Sequence, residues 1–508
     1  MMVDWNRKTL ALLVALAIAA RIPMFFFPGF TADDAYITYR FAENLAEGRG
    51  FVYNSGENVQ GTSTPLYTFI LAGCSSIFGA QSMPWVSRGL GVIADAASLA
   101  LIVRATASLG ASSQFLSASL FALFPRLVFS ATLGMETPLV VMMMMLSYLL
   151  HTKGIPGAAC GVLGLLFVLR VDTSLWSAMM LTMMMRKEGR FAPRTLIPLI
   201  VPVAAWLLYA HMAFGSVVPH AMEAKSESWH HLFGAFDPGR VLLGYFPFHG
   251  LRDFPLIVKI VLCTLIVMPP VLILPGLFRR KDPLMIFPGF FLLYNGLYAG
   301  ARVVMADWYY LPGWVSYVVS LGCFWSWLFS AEPERGAKAR AERLLSHALV
   351  PALVVLLALG IYRWRQDPGE WVQNELVRVA NWLAANAQAE SSVMLEPIGE
   401  IGWVSNLYVH DEVGLVSPRI LEYRRRFEGS DAWFLQYVKD VRPTYIVLQS
   451  REIRDNLLFM GHGDGIFRND AERQWFFSHY PESGKEPNTG TDSPPQYVIY
   501  GPLNESRL

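Results

Sequence analysis

Residues 31–61 read TADDAYITYRFAENLAEGRGFVYNSGENVQG, a charged and aromatic stretch between two apolar segments. Asp33 and Asp34 stand at its head, a few residues after the first apolar segment ends near Pro28. Either carboxylate suits a helix N-terminus, where it satisfies free amides and complements the helix dipole. The alternative is that one of them is a general base at the membrane boundary, with the second acid beside it. The pair alone leaves both interpretations open.

The residues behind the pair follow the period of an amphipathic helix. Apolar side chains recur at every fourth position: Ile37, Phe41 and Leu45. Charged and amide side chains fall on the other side: Arg40, Glu43, Asn44 and Glu47. Gly48 ends the pattern, and such a helix at a membrane boundary is expected to lie in the interface plane. Residues 64–78, apolar but short, predict a second interfacial helix in the same outer loop, residues 31–83.

The composition is that of a polytopic membrane protein. Of 508 residues, 54% are hydrophobic and only 16% are charged, and the mean hydropathy is +0.36. A soluble chain of this length carries more charged surface. The net charge of +1 argues against a nucleic-acid partner. The cysteines all lie in apolar runs and indicate packing residues, not disulfides or a metal site: Cys74, Cys160, Cys263 and Cys323.

About eleven apolar runs approach the roughly 20 residues that a helix needs to cross a bilayer. They lie at residues 9–28, 84–109, 112–130, 136–150, 154–169, 173–185, 194–214, 254–278, 283–300, 308–330 and 347–362. The first run extends beyond a possible signal-peptide cleavage motif and is therefore expected to be an uncleaved anchor. Residues 1–362 are thus predicted to form an α-helical membrane domain.

The basic residues predict the orientation of this domain. If the N-terminus is cytoplasmic, the dense Lys and Arg clusters fall on the inner side, as the positive-inside rule expects. These clusters are Arg7–Lys8, His151–Lys153, Arg186–Arg194, Arg279–Lys281 and Arg335–Arg343. The first loop, residues 215–253 and everything after Tyr362 then lie outside, because the number of spans is odd.

The exported tail, residues 363–508, has a different pattern. Trp371, Leu376, Val379 and Leu383 predict an amphipathic helix, and residues 432–441 predict another. Short runs at 393–395, 445–448 and 497–500 predict strands. Alternating helices and strands indicate a small α/β domain.

Ionisable residues gather at the outer ends of the apolar runs. Each one alone suits an interfacial anchor, but charged groups at membrane depth usually line a cavity and pair there. The set therefore favours a polar cavity beside the aspartate pair. Its members are Asp33, Asp34, Arg88, Glu136, Arg170, Asp172, His220, Glu223, Lys225, Arg302 and Asp307.

Such a cavity contains both carboxylates and basic side chains, a combination that suits the transfer of a sugar from a phosphate-linked donor. A carboxylate takes the proton of an attacking hydroxyl, and Arg or Lys holds the departing phosphate. The sequence contains neither a GxxxxGK[ST] nucleotide loop nor an HExxH metal motif, and a lipid-linked donor needs neither. Trp308 and Tyr309 suit stacking on a sugar or prenyl chain, or an ordinary interfacial belt.

The quoted stretch, extended through GTSTPLYT, closely resembles the first outer loop of bacterial GT-C glycosyltransferases that use polyprenyl-phosphate sugars. The arabinofuranosyltransferase-like and mannosyltransferase-like members are the most similar. Weaker likenesses follow along most of the chain: LGMETPL at 133–139, FGSVVPHAMEAKS at 214–226, EPIGEIGWVSN at 396–406 and DEVGLVSP at 411–418.

The resemblance implies roles for individual residues. The first-loop acidic motif holds the general base, which falls on Asp33 with Asp34 adjacent. Lys225 stands where the family has a Lys that faces the donor phosphate. Arg170 and Asp172 match an RPE/RPD pattern in which this chain has Val171 in place of Pro. His220 replaces the usual Asn after Pro219. The family is inverting and its lipid-phosphate users generally need no metal.

The sequence thus predicts an inverting glycosyltransferase of the bacterial inner membrane. It would move a sugar from a polyprenyl-phosphate donor to a cell-envelope glycan or glycolipid hydroxyl on the periplasmic side, without a cofactor. Asp33 would be the catalytic base, with Asp34 beside it. The donor phosphate would be bound by Arg170, Lys225 and Arg302, and the substrates by Glu136, Asp172, His220, Trp308 and Tyr309. The alternative is a transporter or lipid flippase for an envelope precursor.

Overall fold

The computed structural model describes residues 7–26, 31–189, 192–229, 238–246, 255–301, 305–329, 337–365, 368–427, 430–458, 461, 463–484 and 497–504. Helices account for residues up to 365, and a mixed α/β arrangement follows. The helices of the first part are α1 (Arg7–Phe25), α2 (Asp33–Ala46), α3 (Pro65–Phe78), α4 (Met83–Ala105), α5 (Ala111–Leu123), α6 (Pro125–Ser130), α7 (Thr137–Thr152), α8 (Pro156–Leu169), α9 (Ser174–Glu188), α10 (Pro193–Phe214), α11 (His220–Trp229), α12 (Pro238–Leu243), α13 (Leu256–Arg279), α14 (Ile286–Ala301), α15 (Leu311–Phe329) and α16 (Ala337–Arg365).

Among the described residues, four helical segments are long and apolar enough to cross a membrane, which makes this a multi-pass membrane protein. They are Ala80–Ala105, Pro193–Phe214, Leu256–Arg279 and Pro283–Ala301. Several other predicted spans correspond to shorter apolar helices, such as α7 and α8. The predicted span at 112–130 is divided into α5 and α6 at Pro125, because proline starts a helix more readily than it continues one.

The described part of the tail contains six helices and five strands. The helices are α17 (Pro368–Asn386), α18 (Ile398–Ser405), α19 (Pro418–Arg426), α20 (Ala432–Val441), α21 (Ser450–Asp455) and α22 (Asp470–His479). The strands are β1 (Ser392–Leu395), β2 (Tyr408–Asp411), β3 (Tyr445–Gln449), β4 (Glu482–Ser483) and β5 (Tyr497–Tyr500). They form one sheet in the order β2-β1-β3-β5-β4, in which β1 runs parallel to β2 and β3 while β5 is antiparallel to β3 and β4.

Helix α2 lies between the membrane helices and the tail. Ile37 and Phe41 pack in one core with tail residues such as Val379 and Val393. Arg40, predicted on the polar side of an interfacial helix, is only 5% exposed. The tail covers Arg40, so this part of the polar side of α2 faces protein and not solvent.

The buried guanidinium of Arg40 finds hydrogen-bond partners in the first loop and in the tail. It donates hydrogen bonds to the carbonyl oxygens of Tyr53 (2.9 Å), Gly402 (2.5 Å) and Leu407 (2.6 Å). Asn54 adds a two-way contact with the backbone of Val409. Because a buried cation is costly without such partners, these bonds join the first loop and the tail into one unit.

Candidate active site

The two aspartates at the start of α2 have different surroundings. The cap position before them is Ala32, and neither carboxylate caps its own helix. The Asp33 carboxylate instead accepts hydrogen bonds from the backbone N–H groups of Gly399 (3.0 Å) and Glu400 (2.8 Å). These amides belong to the first turn of α18, where free N–H groups and the helix dipole favour an anion.

The contact between Asp33 and α18 requires a glycine. A Cβ atom on Gly399 would lie 1.9 Å from the carbonyl oxygen of Asp33, far inside contact distance. Burial raises the pKa of Asp33 to about 6, and the charge of Asp34 adds to this, while the two amides act against it. Asp33 therefore fastens the tail to the first loop and does not line the cavity described next.

Asp34 faces a polar cavity below α2. Its Oδ2 lies 3.8 Å from Nζ of Lys225, and both side chains are about one-third exposed, at 35% and 31%. The lining includes four other predicted site residues: Glu136, Arg170, Trp308 and Tyr309. It also includes the hydroxyl residues Thr62, Ser63 and Thr64, which the sequence did not single out as site residues.

Arg170 forms the buried corner of this cavity. It follows the last residue of α8 and is only 3% exposed. Its Nη1 lies 3.2 Å from Oε1 of Glu136, and its Nη2 donates to Oδ2 of Asp172 at 2.8 Å. The guanidinium also lies over the ring of Tyr309, 4.5 Å from its centroid. Although Val171 replaces the usual proline, a short 3₁₀ turn at Val171–Thr173 still brings Arg170 and Asp172 together.

Two tyrosines of α14 support this corner and were missed by the sequence reasoning. Tyr298 donates to Oδ2 of Asp172 at 2.7 Å, and Tyr294 donates to the carbonyl oxygen of Tyr309 at 2.9 Å. Their spacing of four residues places both hydroxyls on one side of the helix. Two tyrosines at that spacing in an apolar helix are the signal in the sequence that could have identified them. Their partner Asp172, however, is over 100 positions away along the chain.

Lys225 reaches the cavity from α11. Its ammonium lies 5.9 Å from the ring centroid of Tyr309. Tyr309, and after it Asp34, hold the pKa of Lys225 above its ordinary value, although burial opposes them. Lys225 is therefore a stable cation at neutral pH, available to an anionic ligand.

The remaining predicted residues lie elsewhere. His220 does not line the cavity; its Nδ1 lies 3.5 Å from Oε2 of Glu223. Glu223 in turn accepts a hydrogen bond from Arg425 of the tail at 2.6 Å. Arg302 lies outside the described residues. Among the residues that the structure describes, no three His, Cys, Asp or Glu side chains are placed to hold a metal ion.

Two experimental structures share this architecture at low sequence identity. ArnT from Cupriavidus metallidurans, bound to undecaprenyl phosphate, matches with a TM-score of 0.56 and 11% identity over 98% of this chain and 99% of that chain. The oligosaccharyltransferase of Archaeoglobus fulgidus, in complex with Zn and sulfate, matches with a TM-score of 0.52 and 14% identity over 97% of this chain and 73% of that chain. These likenesses establish the fold, which is the GT-C fold that the first loop predicts.

The sequence comparisons concern the tail. A family described as "Domain of unknown function (DUF8728)" matches residues 352–500. No curated protein is significantly similar in sequence to this chain.

Proposed function

We propose that this protein is an inverting glycosyltransferase that uses a polyprenyl-phosphate sugar. The observation that carries the proposal is the cavity itself, where a carboxylate (Asp34) and two cations (Arg170 and Lys225) meet beside aromatic side chains. A base and a binding site for a leaving phosphate are what transfer from such a donor requires. The GT-C fold of the chain supports the same reaction.

Asp34 is the base in this proposal. It takes the proton of the acceptor hydroxyl as that oxygen attacks the anomeric carbon, and the bond from that carbon to the phosphate oxygen breaks. The electron pair leaves with the polyprenyl phosphate, so the configuration inverts. Asp33, the base that the sequence predicts, has both carboxylate oxygens on the amides of α18 and holds the tail instead.

Arg170 and Lys225 hold the donor phosphate in this proposal. Arg170 is fixed by Glu136 and Asp172, so its guanidinium is already oriented before the donor arrives. The cavity encloses only about 50 Å³, which is room for a few waters. A sugar phosphate therefore needs Lys225 to move from Asp34 to the phosphate, and that movement would also free the base.

The proposed setting is the bacterial inner membrane, with about eleven membrane helices and with the cavity and the α/β tail on the periplasmic side. The Lys and Arg clusters at the ends of the helices away from the cavity support this orientation. The acceptor is a hydroxyl of a cell-envelope glycan or glycolipid, which reaches Asp34 from the same side as the tail.

The direct test is transfer of radiolabelled sugar by the purified full-length chain. A panel of synthetic polyprenyl-phosphate sugars is incubated with envelope glycolipid acceptors, and labelled product is counted against the Asp34→Asn variant. We expect label transfer from at least one donor, with inversion at the anomeric carbon, and a rate that is lower by roughly 10²–10⁴-fold in the variant. Movement of the lipid across vesicle membranes without any sugar transfer would contradict the proposal and favour a flippase.

A further inference from the structure

A second cavity lies at the other end of the membrane helices. Helices α7 and α9 each begin beside the candidate active site, next to Glu136 and Asp172, and run away from it. Their far ends carry His151 and Arg186, about 14 residues on, which corresponds to roughly 20 Å of helix. A cavity of about 470 Å³ opens between these ends and the α13–α14 connection.

The mouth of this cavity is basic. Arg186, Lys187 and Lys281 all line it and are all exposed. Within the part of the chain that the structure describes, none of the three forms a salt bridge, and Arg186 instead lies over the ring of Phe278 at 5.1 Å. The nearby carboxylate of Asp282 accepts the N–H of Leu284 and starts the next turn. Among the described residues, the three cations outnumber the one nearby carboxylate, so the mouth has a net positive charge.

A buried histidine in this mouth has a nitrogen available to a ligand. His151 is 2% exposed, lines the cavity, and its Nδ1 has no hydrogen-bond partner among the described residues. Buried polar nitrogens are normally paired, so this atom is available to a group that enters.

The inner part of the same cavity is apolar. A second space of about 290 Å³ shares Met183, Arg186, Phe278 and Met285 with the first. Its other walls include Met179, Leu274 and Ile286, and methionine side chains adapt readily to flexible chains. A basic mouth above an apolar groove between membrane helices matches a phosphate headgroup and its hydrocarbon chains.

We infer that this groove binds an anionic phospholipid of the membrane leaflet opposite the candidate active site. The phosphate lies among Arg186, Lys187 and Lys281, with His151 as a further hydrogen-bond partner, and an acyl chain follows the methionine-lined groove. The surplus of positive charge selects against zwitterionic lipids. A polyprenyl-phosphate sugar bound here would be at the wrong face to reach Asp34, so the proposed occupant is a phospholipid and not the donor.

The test uses the full-length protein in nanodiscs of phosphatidylcholine and phosphatidylglycerol. The protein is released from the nanodiscs, and native mass spectrometry counts the lipid molecules that stay bound to it. We expect one phosphatidylglycerol to be retained preferentially. In an Arg186→Gln/Lys281→Gln variant the preference should fall by about 30-fold, because each basic residue near an anionic lipid contributes about 1 kcal/mol. A conservative Arg186→Lys/Lys281→Arg variant should keep it.

The matched control is Lys153→Gln/Arg280→Gln, which removes two exposed cations at the same ends of the helices without touching the groove lining. It should retain phosphatidylglycerol like the parent protein. Equal losses in both double variants would mean a diffuse surface charge and would overturn the site. Equal retention of phosphatidylcholine, or complete displacement by added undecaprenyl phosphate, would overturn the proposed occupant. If the double variant does not fold, each single substitution is measured, with an expected loss of about fivefold.

Discussion

Asp33 and Asp34 are neighbours in sequence but belong to two different regions. Asp33 lies in the contact between α2 and the tail, called the seam below, and Asp34 lies in the cavity below α2. At the seam, Asp33 has both oxygens on backbone amides of α18. In the cavity, Asp34 has a single cation at 3.8 Å and remains one-third exposed. Successive residues of a helix point about 100° apart, so one turn of α2 can hold the tail with one carboxylate and present the other to a substrate.

The two regions also differ in how their charges are balanced. At the seam, Arg40 is held entirely by carbonyl oxygens and by Asn54, in a fixed arrangement with no exposed partner. In the cavity, the ammonium of Lys225 and the carboxylate of Asp34 are 3.8 Å apart and both line a space that a ligand can enter. The seam is suited to stability, and the cavity to an exchange of partners during a reaction.

The largest expected effect separates the two carboxylates by activity. Asp34→Asn keeps the size of the side chain but removes the base, so transfer should fall by roughly 10²–10⁴-fold, the usual loss for an acid–base group. The measurement is the initial rate of labelled-sugar transfer at saturating donor and acceptor.

Asp33→Asn is the matched control for that measurement, because it removes the same charge one residue away. Folded Asp33→Asn protein should keep most of the activity. If instead Asp33→Asn abolishes transfer while Asp34→Asn retains it, the base belongs to the seam and the comparison is wrong. If both variants stay active, neither aspartate is the base.

A smaller effect is expected at the buried corner of the cavity. Arg170→Lys keeps the charge but loses the planar fork, which contacts Glu136 and Asp172 together. We expect KM for the donor to rise by about tenfold, the value of one weakened charge-assisted contact, with little change in KM for the acceptor. Donor titrations at saturating acceptor measure this.

Arg126→Lys is the control for the corner. Arg126 also pairs with a carboxylate, Asp307, at 2.6 Å, but does not line the cavity. Its substitution should leave KM for the donor unchanged. Equal increases in both variants would show that the effect is a general loss of packing and that Arg170 does not face the phosphate.

Much of the helical framework was predictable from local pattern. The second of the two helices predicted in the tail was expected at 432–441, and α20 has those bounds. The first-loop helix ends before Gly48, whose φ of +79° needs a glycine. These features depend on nearby residues only, so periodicity and capping chemistry identify them.

The sites were predictable only in part, because they depend on contacts between distant segments. Of the charged residues that the pattern placed at the outer helix ends, Asp34, Glu136, Arg170 and Lys225 line one cavity, whereas Asp33 and His220 do not. No local pattern pairs Asp33 with α18, which lies 366 residues further along the chain. For the same reason Arg40 was expected on an open polar face, although the tail covers it.

The last expected effect concerns the seam and can be measured without any substrate. In Asp33→Asn the amide oxygen can accept from only one of the two N–H groups, and its NH₂ group then faces the other. Losing one charge-assisted bond at a helix N-terminus costs about 1–2 kcal/mol, so local opening of α18 should become roughly 5- to 30-fold more frequent. Hydrogen exchange of peptides that cover residues 397–403 measures this directly. Asp34→Asn should leave those amides as protected as in the parent protein, because the amides of Gly399 and Glu400 donate to Asp33 while Asp34 pairs with Lys225. Faster exchange in both variants would mean that the pair acts as one charged unit, and the division between seam and cavity would then have no physical basis.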